Sequence, residues 1–212
     1  MRWNKKRLKH CKLYLILDRQ VQPYDELFRI LKQSVRAGVD IVQLRDKTGC
    51  ARDIIGFSKK AMQYLNGRAA FVMNDRVDLA QIVDADGIHV GQDDVPIDQV
   101  RQLVGRKMMV GVSCQSWAMA KKAQEAGADY LGFGSVFKTK TKPGRQPMNQ
   151  QMLKRVLRDI NVPVFPIGGI ALNNVQRVVD CGAKRIAVCR DIVLAKDIDR
   201  VVKEYKNILS GI

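Results

Sequence analysis

Ala37-Gly38-Val39-Asp40-Ile41-Val42-Gln43-Leu44-Arg45-Asp46-Lys47 holds one complete structural unit. An amphipathic stretch (24–37) stops at Gly38, a short β-rich run follows, and polar residues close it. Glycine accepts the left-handed conformation that ends many helices, so the chain can turn directly into a strand. The same junction recurs as Ala126-Gly127-Ala128-Asp129 and Cys181-Gly182-Ala183-Lys184. Working outward, apolar runs occupy 13–17, 41–44, 70–73, 87–90, 108–112, 130–133, 164–167 and 185–188. Longer amphipathic stretches such as 24–37, 51–65, 116–126 and 173–181 lie between them. Eight strand-then-helix units in about 200 residues predict an α/β fold, a single-domain (β/α)8 TIM barrel spanning 13–212. An open doubly wound sheet is the competing architecture, but nothing like G-x-G-x-x-G follows the first run.

Composition narrows the class. Hydrophobic residues make up 46% of 212, enough for a real core, so disorder is excluded. Lys and Arg number 37 against 21 Asp and Glu, a net +16 that attracts nucleic acid, acidic lipid or small phosphorylated substrates. No apolar run approaches the ~18 residues needed to cross a bilayer. Residues 1–12, with Arg2, Lys5, Lys6, Arg7, Lys9 and Lys12, read as a basic, solvated lead-in, and they lack the apolar stretch of a signal peptide. The five cysteines include no C-x-x-C pair, which suits neither a disulfide framework nor a zinc knuckle. They read as small apolar fillers in a reduced, cytoplasmic protein, with Cys189 set apart by its place near a phosphate-binding segment.

In such a barrel the active site is built from segments that follow the strands. Strand alternation points Gln43, Arg45 and Lys47 to one side. The third run ends in Asn74-Asp75 and the fourth in Gly91-Gln92-Asp93-Asp94. Asp75 and Asp94, on neighbouring strand ends, suit a hard cation such as Mg²⁺, although either could simply cap a helix. Ser113 closes the fifth run and can bind phosphate or cap the next helix. Thr139-Lys140-Thr141-Lys142 interleaves hydroxyls and ammonium groups as an anion clamp. Gly168-Gly169 after the seventh run, and Cys189-Arg190 after the eighth, occupy the usual phosphate position of these barrels, with Asn173 as an expected N-cap. The inventory sets Arg45, Lys47 and Lys142 against Asp75 and Asp94 around one rim. It fits a magnesium-bridged diphosphate beside a monophosphate. No side chain reads as nucleophile or base; His10 falls in the lead-in, and His89 reads as a packed core histidine.

Six of these motifs together resemble the thiamine-phosphate synthase family: Gln43-Leu44-Arg45-Asp46-Lys47, Asn74-Asp75-Arg76, Gly91-Gln92-Asp93-Asp94, Gly111-Val112-Ser113, Thr139-Lys140-Thr141-Lys142 and Ile167-Gly168-Gly169-Ile170. The resemblance runs from about residue 13 to residue 198. It implies a transferase that joins hydroxymethylpyrimidine diphosphate to a thiazole phosphate and releases pyrophosphate. Carried over motif by motif, Gln43, Arg45, Lys47, Asn74, Ser113 and Lys142 hold the pyrimidine diphosphate, with Arg45, Lys47, Lys142 and Ser113 acting on the reaction. Asp75 and Asp94 bind Mg²⁺. Thr139, Thr141, Gly169, Cys189 and Arg190 contact the thiazole phosphate. The implied chemistry is dissociative, which needs charge neutralised on the leaving group rather than a base. A preorganised charge at such a site is worth about 3 kcal/mol.

Two positions depart from the family pattern. Arg190 stands where a serine is usual, and Cys114-Gln115 follows Ser113 where many relatives carry a histidine. A thiazole tautomerase-like sister branch is the nearest alternative, but it would lose the diphosphate set that is present here. A nucleic-acid-binding regulator is the remote one. Its positive charge is scattered over many helices, and aromatics are only 6%, too few for interleaved stacking residues. The expected partners are therefore small phosphorylated substrates, with no nucleic acid and no membrane. Assembly into a homo-oligomer is compatible with the sequence.

Overall fold

Leu13, Leu15 and Leu17 alternate with Tyr14, Ile16 and Asp18, and this alternation gives the first strand two unlike faces. In a computed structural model, which describes residues 3–139, 144 and 146–211, the leucines belong to the large core between strands and helices. Tyr14 and Ile16 belong to a smaller core inside the barrel. The strands are β1 (Leu13–Asp18), β2 (Ile41–Arg45), β3 (Ala70–Asn74), β4 (Gly87–Val90), β5 (Met109–Cys114), β6 (Tyr130–Phe133), β7 (Val164–Pro166) and β8 (Ile186–Val188). All pair in parallel in the order β7-β6-β5-β4-β3-β2-β1-β8. A single parallel bridge, Ile167 to Ala187, draws the two ends together. The apolar runs therefore mark every strand to within a residue or two.

The helices lie outside: α1 (Tyr24–Arg36), α2 (Ala51–Leu65), α3 (Val77–Ile82), α4 (Ile97–Val104), α5 (Trp117–Glu125), α6 (Gln150–Asp159), α7 (Val175–Val179), α8 (Arg190–Val193) and α9 (Ile198–Ser210). The three glycine junctions form as expected, with φ of 111° at Gly38, 90° at Gly127 and 96° at Gly182. α7 is shorter than the 173–181 pattern. Asn174, not Asn173, precedes it, and its side chain turns back to accept from Ala171 N and donate to Gly169 O. No helix among the described residues is long and apolar enough to cross a membrane.

The lead-in is not solvated throughout. A 3-10 helix (Lys5–His10) places Trp3, Leu8 and Cys11 in the inner core beside Ile41, Ala70 and Met109, close to where those strands begin. Arg185 donates to Leu8 O and Lys9 O, and Arg7 to Gly67 O. Its charges thus serve as anchors, leaving three apolar residues to cover one end of the barrel.

Candidate active site

Gln43 and Arg45 point into the barrel, as the period-2 alternation requires, and both are buried. A cavity of about 990 Å³ opens above them. Its lining includes Gln43, Arg45, Asn74, Ser113, Thr139 and Gly169, with Cys189 and Arg190 on the β8 side. Residues expected from six strand ends therefore converge on one space. Thr141 and Lys142 lie outside the described residues.

Arg45 does not face Asp75 or Asp94. Its Nη1 donates to Asp18 Oδ2 at 2.7 Å and to Gln20 Oε1 at 3.1 Å. Asp18 is 1% exposed, so this cation is held by a buried counter-charge at the end of β1. Sequence reasoning missed Asp18; the available signal was an acid closing an apolar run in phase with Tyr14 and Ile16.

Lys47, just beyond β2, carries the contact to the acids. Its Nζ donates to Asp75 Oδ2 and lies 3.9 Å from Asp94 Oδ1. The capping readings fail. Arg76 occupies the N-cap of α3, and Ser116, not Ser113, caps α5 by accepting from Met119 N. Asp94 Oδ2 accepts from Gly91 N at 2.7 Å, which fixes its own turn. Asp75 takes a left-handed φ of 61° and donates its backbone N–H to His89 O. Burial, and then the facing Asp94 carboxyl, hold the Asp75 carboxyl above the usual carboxylate range, against the pull of Lys47.

Two carboxylates crowded together with one lysine leave negative charge that a hard cation would offset. Asp75 and Asp94 fit Mg²⁺ on that ground. No cluster of three or more metal-ligating side chains exists among the described residues, so the remaining ligands would be water and substrate oxygens. Beside the pair, the Nδ2 of Asn74 is buried without a hydrogen-bond acceptor. An unmet donor lining a cavity calls for an acceptor on a ligand.

On the opposite wall, glycines permit close backbone approach. A Cβ at Gly168 would overlap the Ser135 side chain, and one at Gly169 would overlap the Lys138 carbonyl. The β6 and β7 loops can touch only because both side chains are absent. Cys189 is partly buried at this wall, while Cys11, Cys114 and Cys181 are buried and Cys50 is exposed. The filler reading therefore holds for three of the four cysteines it covered, and exposed Cys50 departs from it.

His89 is buried, as expected, yet it faces the cavity rather than the helix layer. It lies between Tyr130 Oη (3.2 Å from Nδ1) and Ser113 Oγ (2.9 Å from Nε2).

Fold and site together define a barrel enzyme of phosphorylated substrates, with acids and cations at its strand ends and glycines across the mouth. The family described as thiamine monophosphate synthase matches residues 13–192, and the chain belongs to it. It is 36% identical to the thiamine-phosphate synthase of Fusobacterium nucleatum subsp. nucleatum, covering 92% of this chain and 96% of that one. It is equally identical to that of Halalkalibacterium halodurans, over 95% and 97% of the two chains. Among solved structures, the thiamine phosphate pyrophosphorylase of Pyrococcus furiosus superposes with a TM-score of 0.87 at 31% identity, over 98% of both chains. A 3-hexulose-6-phosphate synthase, at 15% identity and TM-score 0.70 over 93% of this chain and 99% of that one, shares the fold alone.

Proposed function

We propose that this chain acts as a thiamine-phosphate synthase in the cytoplasm, joining hydroxymethylpyrimidine diphosphate to thiazole phosphate and releasing pyrophosphate. The observation that carries this reading is the Lys47–Asp75–Asp94 group beside a cavity lined by Gln43, Arg45, Asn74 and Ser113, in a member of that family. Its five cysteines are all free, as a reducing compartment requires.

Cations and a pair of acids gathered where a diphosphate would leave favour a dissociative path. The C–O bond to diphosphate breaks first, and pyrophosphate leaves with the electron pair. The resulting cation spreads into the aminopyrimidine, and the thiazole nitrogen then donates its lone pair to form the new C–N bond. Mg²⁺, when held by Asp75 and Asp94, supplies positive charge to the departing diphosphate. Lys47 and Arg45 supply fixed charge from the protein, and Asp18 keeps the Arg45 guanidinium in place. Gln43, Asn74 and Ser113 orient the pyrimidine half. Gly169, Thr139 and Arg190 receive the thiazole phosphate on the other wall, so the two halves meet across one cavity.

Asp94→Asn tests this reading. Turnover should fall sharply, with the Mg²⁺ requirement raised and the fold intact by circular dichroism. Undiminished turnover of that variant in excess chelator would remove the metal role.

A further inference from the structure

Four hydrogen bonds cross the barrel beneath the cavity and join two residues assigned to the same substrate. Gln43 Nε2 donates to Tyr14 Oη at 3.1 Å, and the two tyrosine hydroxyls lie 2.9 Å apart. Tyr130 Oη lies 3.2 Å from His89 Nδ1, and His89 Nε2 lies 2.9 Å from Ser113 Oγ. The chain runs β2–β1–β6–β4–β5, with every side chain between its ends inside the barrel. The interior makes room for it. A Cβ at Gly111 would overlap the Tyr130 ring, and one at Gly132 would press on the His89 ring at 3.1 Å. Glycine inside a strand marks such close approach.

The donor-only nitrogen of Gln43 sets a direction for the whole chain. Tyr14 Oη accepts from it and spends its own proton on Tyr130. Burial keeps both phenols protonated by raising their pKa values. The Tyr130 hydroxyl, fully buried, then needs an acceptor, and the His89 Nδ1 lone pair is the one in reach. His89 must therefore carry its proton on Nε2 and give it to Ser113 Oγ. At the two ends, Gln43 retains its carbonyl Oε1 as an acceptor, and Ser113 retains its O–H as a donor.

We propose that Tyr14, Tyr130 and His89 are positioning residues for the pyrimidine half: a directed relay that presents an acceptor at Gln43 and a donor at Ser113. The inference rests on the substrate assignment above. An aminopyrimidine, which carries an N–H donor beside a ring-nitrogen acceptor, is the ligand class complementary to that pair of ends.

Two measurements test it. The chain has two histidines, so the imidazole ¹⁵N spectrum of the wild type can be assigned with a His10→Asn variant. His89 should be the neutral Nε2–H tautomer without any ligand; the Nδ1–H tautomer would overturn the proposed direction. This result is independent of any substrate or enzyme activity. Calorimetry with hydroxymethylpyrimidine diphosphate and Mg²⁺ tests the coupling. Tyr130→Phe should weaken binding about five- to tenfold, the cost of one hydrogen bond, and leave thiazole phosphate binding within about twofold. The loss in Tyr130→Phe/Ser113→Ala should be smaller than the product of the two single losses, because both changes break the Ser113 end of one relay. Fold-losses that multiply would overturn the coupling. A wild type that binds the pyrimidine diphosphate without making thiamine phosphate would refute the proposed function instead, leaving the tautomer result to stand by itself.

Discussion

Removing the Asp18 carboxylate would leave the Arg45 charge without its counter-ion in the barrel interior. Breaking one side of a buried pair is expensive, so Asp18→Asn should cost about 3 kcal/mol in urea denaturation. A loss within 0.5 kcal/mol, as for a surface change, would show that Arg45 finds another partner. Asp75 behaves in the opposite sense. Its folded pKa lies above the ordinary 3.8, so its ionisation lowers stability as pH rises from 3.8 through the raised value, and stability stays lower above it. Metal-free Asp75→Asn should therefore melt at or above the wild-type temperature at pH 7. Because Mg²⁺ needs the ionised carboxylate, wild-type Mg²⁺ affinity should weaken as pH falls through the same window. Scanning calorimetry with and without Mg²⁺ checks both. Arg190 lines the cavity where the family usually has serine. A guanidinium grips phosphate in two-pronged fashion, so Arg190→Ser should weaken thiazole phosphate binding by ~1.5–3 kcal/mol and leave pyrimidine diphosphate binding unchanged. An unaltered thiazole phosphate affinity would rule out the side-chain role. At this scale strand alternation placed Gln43 and Arg45 correctly, but it could not identify Asp18 as a partner, since that choice depends on the register of β1 against β2.

Elements were legible wherever period and punctuation agreed. α1, α2 and α5 appear where amphipathic stretches end at glycine or asparagine, and the eight apolar runs became the eight strands. The lead-in misleads because its buried residues, Trp3, Leu8 and Cys11, are outnumbered by cations, of which Lys5, Arg7 and Lys12 donate to backbone carbonyls. A 3-10 turn of this length has no period to read. Trp3 is 7% exposed, so Trp3→Ala should lower stability by about 3 kcal/mol while leaving turnover per folded molecule unchanged. A variant of wild-type stability would return the lead-in to the solvated class. α7 is cut short for a related reason: Asn174 is drawn into bracing the glycine loop rather than extending the helix, a tertiary demand that no local pattern announces.

For the whole molecule, the barrel follows from counting units, whereas the site follows from closing them. Tyr14 and Tyr130 are separated by 116 positions, and they meet only because β1 and β6 face one another across the axis. The scattered positive charge likewise becomes specific only at the mouth, where a few cations and acids share one cavity. The activity proposed for this rim is the joining of two phosphorylated substrates. Purified protein should be mixed with hydroxymethylpyrimidine diphosphate, thiazole phosphate and Mg²⁺, with thiamine phosphate and pyrophosphate quantified over time. Equal amounts of the two products, formed only while metal and both substrates are present, is the predicted result. A folded protein that binds both substrates and yields no thiamine phosphate would contradict it.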